Sequence, residues 1–412
     1  MKIAFFSDCY LDLSGGIISV INAEKAEFER QGHTVYVFSS AYPHSDFEYK
    51  KLASQHIFPV PSCRVFGRGI TPIARRPGII VKWLKKNYPE LKDFDCFYVH
   101  YEAGCSIAGL GLAHEYRIPA IQVMHGREDS GVMNIIPFGF RTIVATALNL
   151  FHSWYVPHKV KVHKDHYLAT TVARAKMWTM MVNHANYADF VLTPSEQFCQ
   201  KLIHYGVTAP IMSLHHGVND KILTGQPKPK VFASGDTLEI IWHSRVQGEK
   251  RILPFLEALT MVKGKYRLHV YGDGLDLSRA KRYAKGHALP VTFYGVKDFG
   301  TVKKQLEKAH LDTLVSYDSD TFGMSLLEAA ATATPTLITD PDLTEILPKD
   351  SYLLATDPSP QQMAAAINSL FDNPDKIKQM SDQLILHCKF TTVAGKVATL
   401  IKTIEKLQKS ID

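Results

Sequence analysis

Short, almost wholly apolar runs alternate with stretches of helical period along the whole chain, and the alternation starts twice. Strand patterns fall at residues 2–8, 35–40, 96–101, 120–125 and 190–194, with helical patterns at 17–30, 106–116 and 196–205. The rhythm pauses at G-Q-P-K-P-K-V-F-A-S-G-D (225–236), then resumes with strands at 239–243, 267–271, 291–294, 313–316 and 336–339. Helical patterns at 250–261, 277–287, 300–310, 323–331 and 360–371 separate these. Apolar strands spaced by helices of this length make parallel sheets covered on both faces. With 412 residues, the chain exceeds one ordinary domain of roughly 150. The expected fold class is α/β: two Rossmann-like, doubly wound parallel-sheet domains. We expect an N-terminal domain over 1–224, a linker over 225–238, and a C-terminal domain over 239–390. Residues 391–412, with Val393, Val397, Leu400, Ile401 and Ile404 at helical spacing, should form a helix packing back on the first domain.

Composition narrows the function. Hydrophobic residues at 46% and charged residues at 21% exclude a disordered chain. A net charge of +7 is too small to imply nucleic acid and suits phosphates or lipid headgroups. The six cysteines (Cys9, Cys63, Cys96, Cys105, Cys199, Cys388) are scattered without a C-x-x-C pair, which argues against a disulfide framework or a zinc site. The apolar start, 3–6, is too short for a signal peptide, and the longest uncharged apolar stretch, 142–151, is about half a membrane span. A cytoplasmic protein, soluble or attached to a surface, is expected.

One segment breaks the rhythm. Residues 127–189 contain no clear strand–helix–strand unit and read as an insertion. It is rich in aromatics (Phe138, Phe140, Phe151, Trp154, Tyr155, Tyr167, Trp178) and carries Lys159, Lys161, Lys164, Arg174 and Lys176. A second basic stretch holds Arg64, Arg68, Arg75, Arg76, Lys82, Lys85 and Lys86, with no acid from 62 to 89. Both fit a solvated surface equally well. They also fit an anionic-membrane interface, where cations sit beside Trp and Tyr.

Candidate chemistry gathers where strands turn into helices, the ligand-binding edge of such sheets. Gly15 and Gly16 open the first helix, where a backbone without Cβ lets a ligand approach. The pattern G-x-G-x-x-G is missing there; Gly272-Asp273-Gly274 follows a strand but has Leu277 at the third position. A P-loop is missing too, so dehydrogenases and P-loop enzymes are disfavoured. His125 ends a strand and is placed to touch a substrate or to bond nearby backbone. Arg127-Glu128-Asp129 could bind sugar hydroxyls or be solvated. Arg245 and Lys250 flank one strand–helix turn and could clamp a diphosphate, or be two solvated cations. The strongest signal is S-D-T-F-G-M-S-L-L-E (319–328). Asp320 sits in a loop, the amides of Phe322, Gly323, Met324 and Ser325 form a helix start, and Glu328 lies two turns on. Together they offer a carboxylate for sugar hydroxyls, N–H groups for an anion and a carboxylate for a ribose diol.

These pieces resemble the retaining, GT-B-fold nucleotide-sugar glycosyltransferases of glycosyltransferase family 4. The matching marks are Gly15-Gly16, His125, S-R-V-Q-G-E-K (244–250), Y-G-D-G (271–274), F-Y-G (293–295) and the acid-x7-Glu pair Asp320–Glu328, in family order over nearly the whole chain. The resemblance implies two domains facing a cleft, with Arg245 and Lys250 on the donor diphosphate and Glu328 on the ribose. It further implies Asp320 and His125 on the sugar and the base near Val296. The family usually has Glu where Asp320 stands, one methylene longer. F-F-S-D-C-Y-L (5–11) and H-G-R-E-D (125–129) are similar to bacterial diacylglycerol glucosyltransferases.

The resemblance implies retention at the anomeric carbon by a front-face route, without a metal or other cofactor. Asp318-Ser319-Asp320 has metal-binding spacing but overlaps the sugar-binding acid. The reading is hexose transfer, glucose by family weight, from a nucleotide diphosphate sugar such as UDP-glucose to a membrane lipid such as diacylglycerol. The protein would be peripheral on the inner face of the cell membrane. A polysaccharide, teichoic acid or protein acceptor is the first alternative. A non-catalytic nucleotide-sugar-binding partner subunit is the second, disfavoured because Arg245, Lys250, Asp320, Glu328 and His125 are all present.

Overall fold

The computed structural model describes residues 1–8, 16–41, 46–63, 73–218, 223 and 225–411. Gly15, Arg64 and Arg68 lie outside the described residues. The chain divides into two compact units: Met1–Gly217 with Thr391–Asp412, and Val218–Phe390.

Unit 1 holds a seven-stranded parallel sheet. Its strands are β1 (Lys2–Ser7), β2 (Thr34–Ser40), β3 (Ile57–Val60), β4 (Cys96–His100), β5 (Ala120–Val123), β6 (Phe190–Thr193) and β7 (Ile211–Ser213). They run in the order β3-β2-β1-β4-β5-β6-β7. The central strands β1 and β4 are buried on both faces, which explains their unbroken apolar runs. Helices α1 (Gly16–Arg30), α2 (Asp46–Ser54), α3 (Pro77–Asn87), α4 (Gly104–Tyr116), α5 (Glu128–Ile135), α6 (Arg141–Ser153), α7 (Val172–Ala185) and α8 (Glu196–His204) follow in chain order.

Unit 2 repeats the plan with β8 (Leu238–His243), β9 (Tyr266–Tyr271), β10 (Val291–Gly295), β11 (Leu311–Leu314), β12 (Thr336–Ile338) and β13 (Leu353–Leu354), in the order β10-β9-β8-β11-β12-β13. All its pairings are parallel. Its helices are α9 (Ile252–Leu259), α10 (Leu277–Gly286), α11 (Phe299–Leu306), α12 (Met324–Ala331), α13 (Pro360–Asp372) and α14 (Asp375–His387). In both sheets the strand order reverses once, between β1 and β4 and between β8 and β11. Each reversal opens a crevice at the C-terminal strand ends.

Two boundaries differ from expectation. The units part at Gly217/Val218, and residues 225–238 belong to unit 2 rather than to a free linker. Phe232 is buried in the unit 2 core. Lys230 is buried too, donating its ammonium to the carbonyls of Leu306 and Glu307 at 2.9 and 2.7 Å. Lys and Pro made the segment look solvated, and the two anchors were hidden among them. The last helix, α15 (Val393–Ile411), lies in unit 1, with Val393, Val397, Leu400 and Ile404 in one core with Ile3, Phe5 and Ile21.

Candidate active site

The unit 2 crevice gathers the strongest sequence candidates. Lys250 follows β8 and Asp320 follows β11, so the strand-order reversal brings them together. The Lys250 ammonium donates to both Asp320 oxygens, at 2.8 and 2.7 Å, and Ser316 Oγ donates to the same carboxylate. Arg245 is different: its side chain is 62% exposed, and its guanidinium sits 3.3 Å from Glu249 Oε1. The turn bearing Arg245 is braced by the Gly272-Asp273-Gly274 loop. Gly272 has φ +138°, and a Cβ there would lie 2.2 Å from the Ser244 carbonyl. The glycines of that loop therefore serve close backbone packing rather than a dinucleotide fingerprint. α12 begins at Gly323 without a side-chain cap and without an acid in its first turn, which leaves the positive helix end uncompensated. Phe322, Met324 and Ser325 are half-buried around it, and Val296, just past β10, is exposed.

Glu328 has a partner that the sequence did not reveal. His243 Nε2 lies 3.4 Å from Glu328 Oε2, and His243 Nδ1 lies 3.0 Å from Asp312 Oδ1. Asp312 is fully buried and also accepts from Thr336 Oγ1 at 2.9 Å. Burial works against a charge on His243, but the Asp312 and Glu328 carboxylates outweigh it and hold the imidazole up to about 10. At neutral pH, Glu328 thus rests on a buried cation, with its side chain 23% exposed.

In unit 1, His125 lies two residues past β5 and is buried. Its Nε2 is 2.9 Å from His100 Nδ1, and its ring stacks on His216, centroids 5.5 Å apart. Burial, then the Lys396 charge, pulls His125 down to about 3. The neighbouring charged triplet is neither solvated nor open to sugar as a whole. Arg127 and Asp129 are buried in a bidentate pair, with bonds of 3.1 and 2.8 Å, and Arg174 adds a third at 2.8 Å. Arg174 therefore serves the interior rather than a membrane face. Glu102, also buried here, is a carboxylate that sequence reasoning missed. Burial, then Asp129 and Asp8, pushes Glu128 up to about 7. Asp8 caps α4, accepting from the amides of Cys105 and Ser106 at 2.8 and 3.2 Å. Gly16 is the exposed first residue of α1.

The 127–189 insertion is helical, and its exposed apolar surface is concentrated in one stretch. Ile135, Phe138, Phe140, Ile143, Leu148, Leu150 and Trp154 are all exposed large hydrophobics. Trp178, expected at the interface, is instead fully buried in a core with Met181 and Phe198. Beside α6 and α7 lies a groove of about 470 Å³ whose lining includes Lys159, Lys161, Lys164 and Lys176 and no carboxylate. Lys85 of the other basic stretch pairs with Glu115 at 2.6 Å. Among the described residues no helix is long and apolar enough to cross a membrane. No group of three or more His, Cys, Asp or Glu among them could hold a metal ion.

Two parallel α/β sheets in succession, each with its crevice, define the GT-B class. Anabaena HepE in complex with UDP superposes with a TM-score of 0.66 at 15% identity, over 98% of this chain and 100% of that one. The sucrose-phosphate synthase of Thermosynechococcus elongatus gives 0.67 at 13% identity, over 99% of each chain. The chain belongs to Glycosyltransferase Family 4, whose model matches residues 14–221; that of Glycosyl transferases group 1 matches 237–373. The α-monoglucosyldiacylglycerol synthase of Streptococcus pneumoniae is 23% identical over 82% of this chain and 70% of its own length. The lipopolysaccharide 1,6-galactosyltransferase of Escherichia coli is 28% identical over 38% of this chain, and the match spans 45% of that protein.

Proposed function

We propose that this protein is a retaining glycosyltransferase that moves glucose from UDP-glucose to a membrane lipid such as diacylglycerol. The observation that carries the donor reading is the unit 2 crevice: Lys250, Asp320, Glu328 and the open start of α12 converge at the strand-order reversal. Arg245 stands exposed at its edge beside Glu249 and would turn from it onto a diphosphate. Lys250, now on Asp320, would be shared with that diphosphate, and Asp320 would turn a lone pair to the sugar. Glu328, steadied by the His243 cation, takes the ribose diol; Val296 adjoins the base; His125 is assigned to the sugar by the family pattern. In the transfer, the bond from the anomeric carbon to the diphosphate breaks as the acceptor oxygen bonds to the same face. The acceptor proton passes to the leaving phosphate, giving UDP and the glycoside. Arg245, Lys250 and the α12 amides stabilise the departing charge, so we assign no metal to the step.

The lipid acceptor is supported by the exposed apolar stretch 135–154 and the cationic groove next to it. At 13 residues, α6 is about 20 Å long, so it would lie in the membrane interface rather than span it. The relatives named for monoglucosyldiacylglycerol synthesis weigh the same way. The test of the donor is a panel of nucleotide sugars incubated without acceptor, with and without EDTA. Slow release of UDP from UDP-glucose above the other donors, unchanged by EDTA, is expected. Hydrolysis of another donor alone overturns the sugar assignment, and loss of activity with EDTA overturns the metal-free step.

A further inference from the structure

α15 carries a buried cation into the unit 1 core. The Lys396 ammonium lies 2.5 Å from Glu24 Oε1 on α1 and 3.1 Å from His216 Nδ1. An ammonium only donates, so Nδ1 is the lone-pair nitrogen of His216 and the His216 proton sits on Nε2. His216 is the end ring of a stack of three. Its plane is 24° from that of His125, which is 17° from that of His100, with centroids 5.5 and 5.2 Å apart. The 2.9 Å bond between His100 Nδ1 and His125 Nε2 requires one of these nitrogens to be unprotonated. All three rings are buried.

We propose that Lys396 is a positioning residue for glycosyl transfer: from the C-terminal helix it fixes the His216 tautomer and, through the stacked rings, the placement of His125. The inference rests on the assignment of His125 to the sugar. A cation on His125 would oppose the positive charge that develops at the anomeric carbon. Burial, and after it the Lys396 charge, disfavours a proton on His125; for His100 burial and His125 precede Lys396. Among the described residues, the other titratable groups at this end of the sheet include Asp8, Tyr98, Glu102, Glu128, Asp129, His215 and Glu24. Glu24 balances Lys396, so removing the lysine alone would strand a buried carboxylate. The informative change is therefore Lys396→Met with Glu24→Gln, which keeps the pocket neutral.

Histidine-labelled full-length protein gives the first readout by NMR. In the wild type, His216 should show the Nε2–H tautomer, and none of the three rings should titrate between pH 5.5 and 8. In the double variant, His216 should lose its preference for the Nε2–H tautomer, while burial keeps all three rings neutral over the same range. The value of kcat should fall several-fold, with KM for the donor within twofold. An unchanged His216 tautomer overturns the proposal, and so does an unchanged kcat. If His125→Ala turns over normally, the assignment of His125 fails on its own, while the NMR comparison still decides what Lys396 does.

Discussion

Glu328 answers to two partners, the His243 cation beneath it and the ribose proposed above it, and a single atom change separates them. Glu328→Gln keeps the shape and leaves His243 paired with Asp312, so the melting temperature should stay within a few degrees. Donor affinity should fall, since a hydrogen bond to a charged group contributes about 1.5–3 kcal/mol, roughly ten- to a hundredfold. Calorimetric titration with UDP beside a thermal melt reads both; a large melting shift with unchanged UDP affinity would make Glu328 structural. Arg245→Ala removes a cation whose proposed partner, the leaving diphosphate, gains charge in the transition state. Turnover should drop about a hundredfold, and steady-state kinetics with unchanged turnover would remove Arg245 from the clamp. Arg245, Lys250, Asp320 and Glu328 were legible in the sequence because each pair sits in one short motif, the first after a strand and the second around a helix start. His243 was not: it reads as an ordinary end to a strand. Its charge comes from Asp312 on another strand and Glu328 on another helix, visible only once the sheet sets them side by side.

At the scale of elements, the doubly wound pattern was readable because the central strands are buried on both faces and carry unbroken apolar runs. The edge strands β3, β7 and β13 are two to four residues long and left no such run. The insertion was misread for a related reason. Aromatic content pointed at Trp178, which is core, whereas the exposed surface is built as much from Ile143, Leu148 and Leu150. If α6 lies in a membrane, Leu148→Ser with Leu150→Ser should weaken sedimentation with phosphatidylglycerol vesicles several-fold and leave donor hydrolysis unchanged. Equal sedimentation of the variant would remove α6 from the membrane contact. α12 supplies a packing test. A Cβ at Gly323 would fall 2.7 Å from Leu326 Cγ and 2.9 Å from Leu314 Cδ2, both held in a core. Gly323→Ala should therefore cost about 1–3 kcal/mol by chemical denaturation. A neutral result would show that the start of α12 is looser than its packing indicates.

For the whole molecule, pH should act with opposite sign on the buried histidines of unit 1 and on His243 of unit 2. In unit 1 burial holds His125 and His184 at about 3 and His152 at about 2, with His100 and His216 also well down. Unfolding lets these rings take protons below their ordinary 6.5, so stability falls as pH drops through that value toward 3. Glu128, held up to about 7 against an ordinary 4.5, gains stability over the same fall until 4.5 and then stops. Unit 1 should therefore weaken most steeply below pH 4.5. In unit 2, His243 is held up to about 10, so its contribution is complete below 6.5 and is lost as pH rises through 10. Hydrogen exchange should show β4, β5 and α15 opening first in acid and β8 and α12 weakening first in alkali; uniform opening would contradict this division. The most direct measurement is transfer itself. The protein is given UDP-[14C]glucose and vesicles of diacylglycerol with phosphatidylglycerol, and the products are partitioned into organic and aqueous phases. Label in the organic phase as an α-linked glucolipid, released in step with UDP and reduced about a hundredfold by Arg245→Ala, is the expected result. Label that stays in the aqueous phase, as free glucose or on a polymer, would contradict a lipid acceptor.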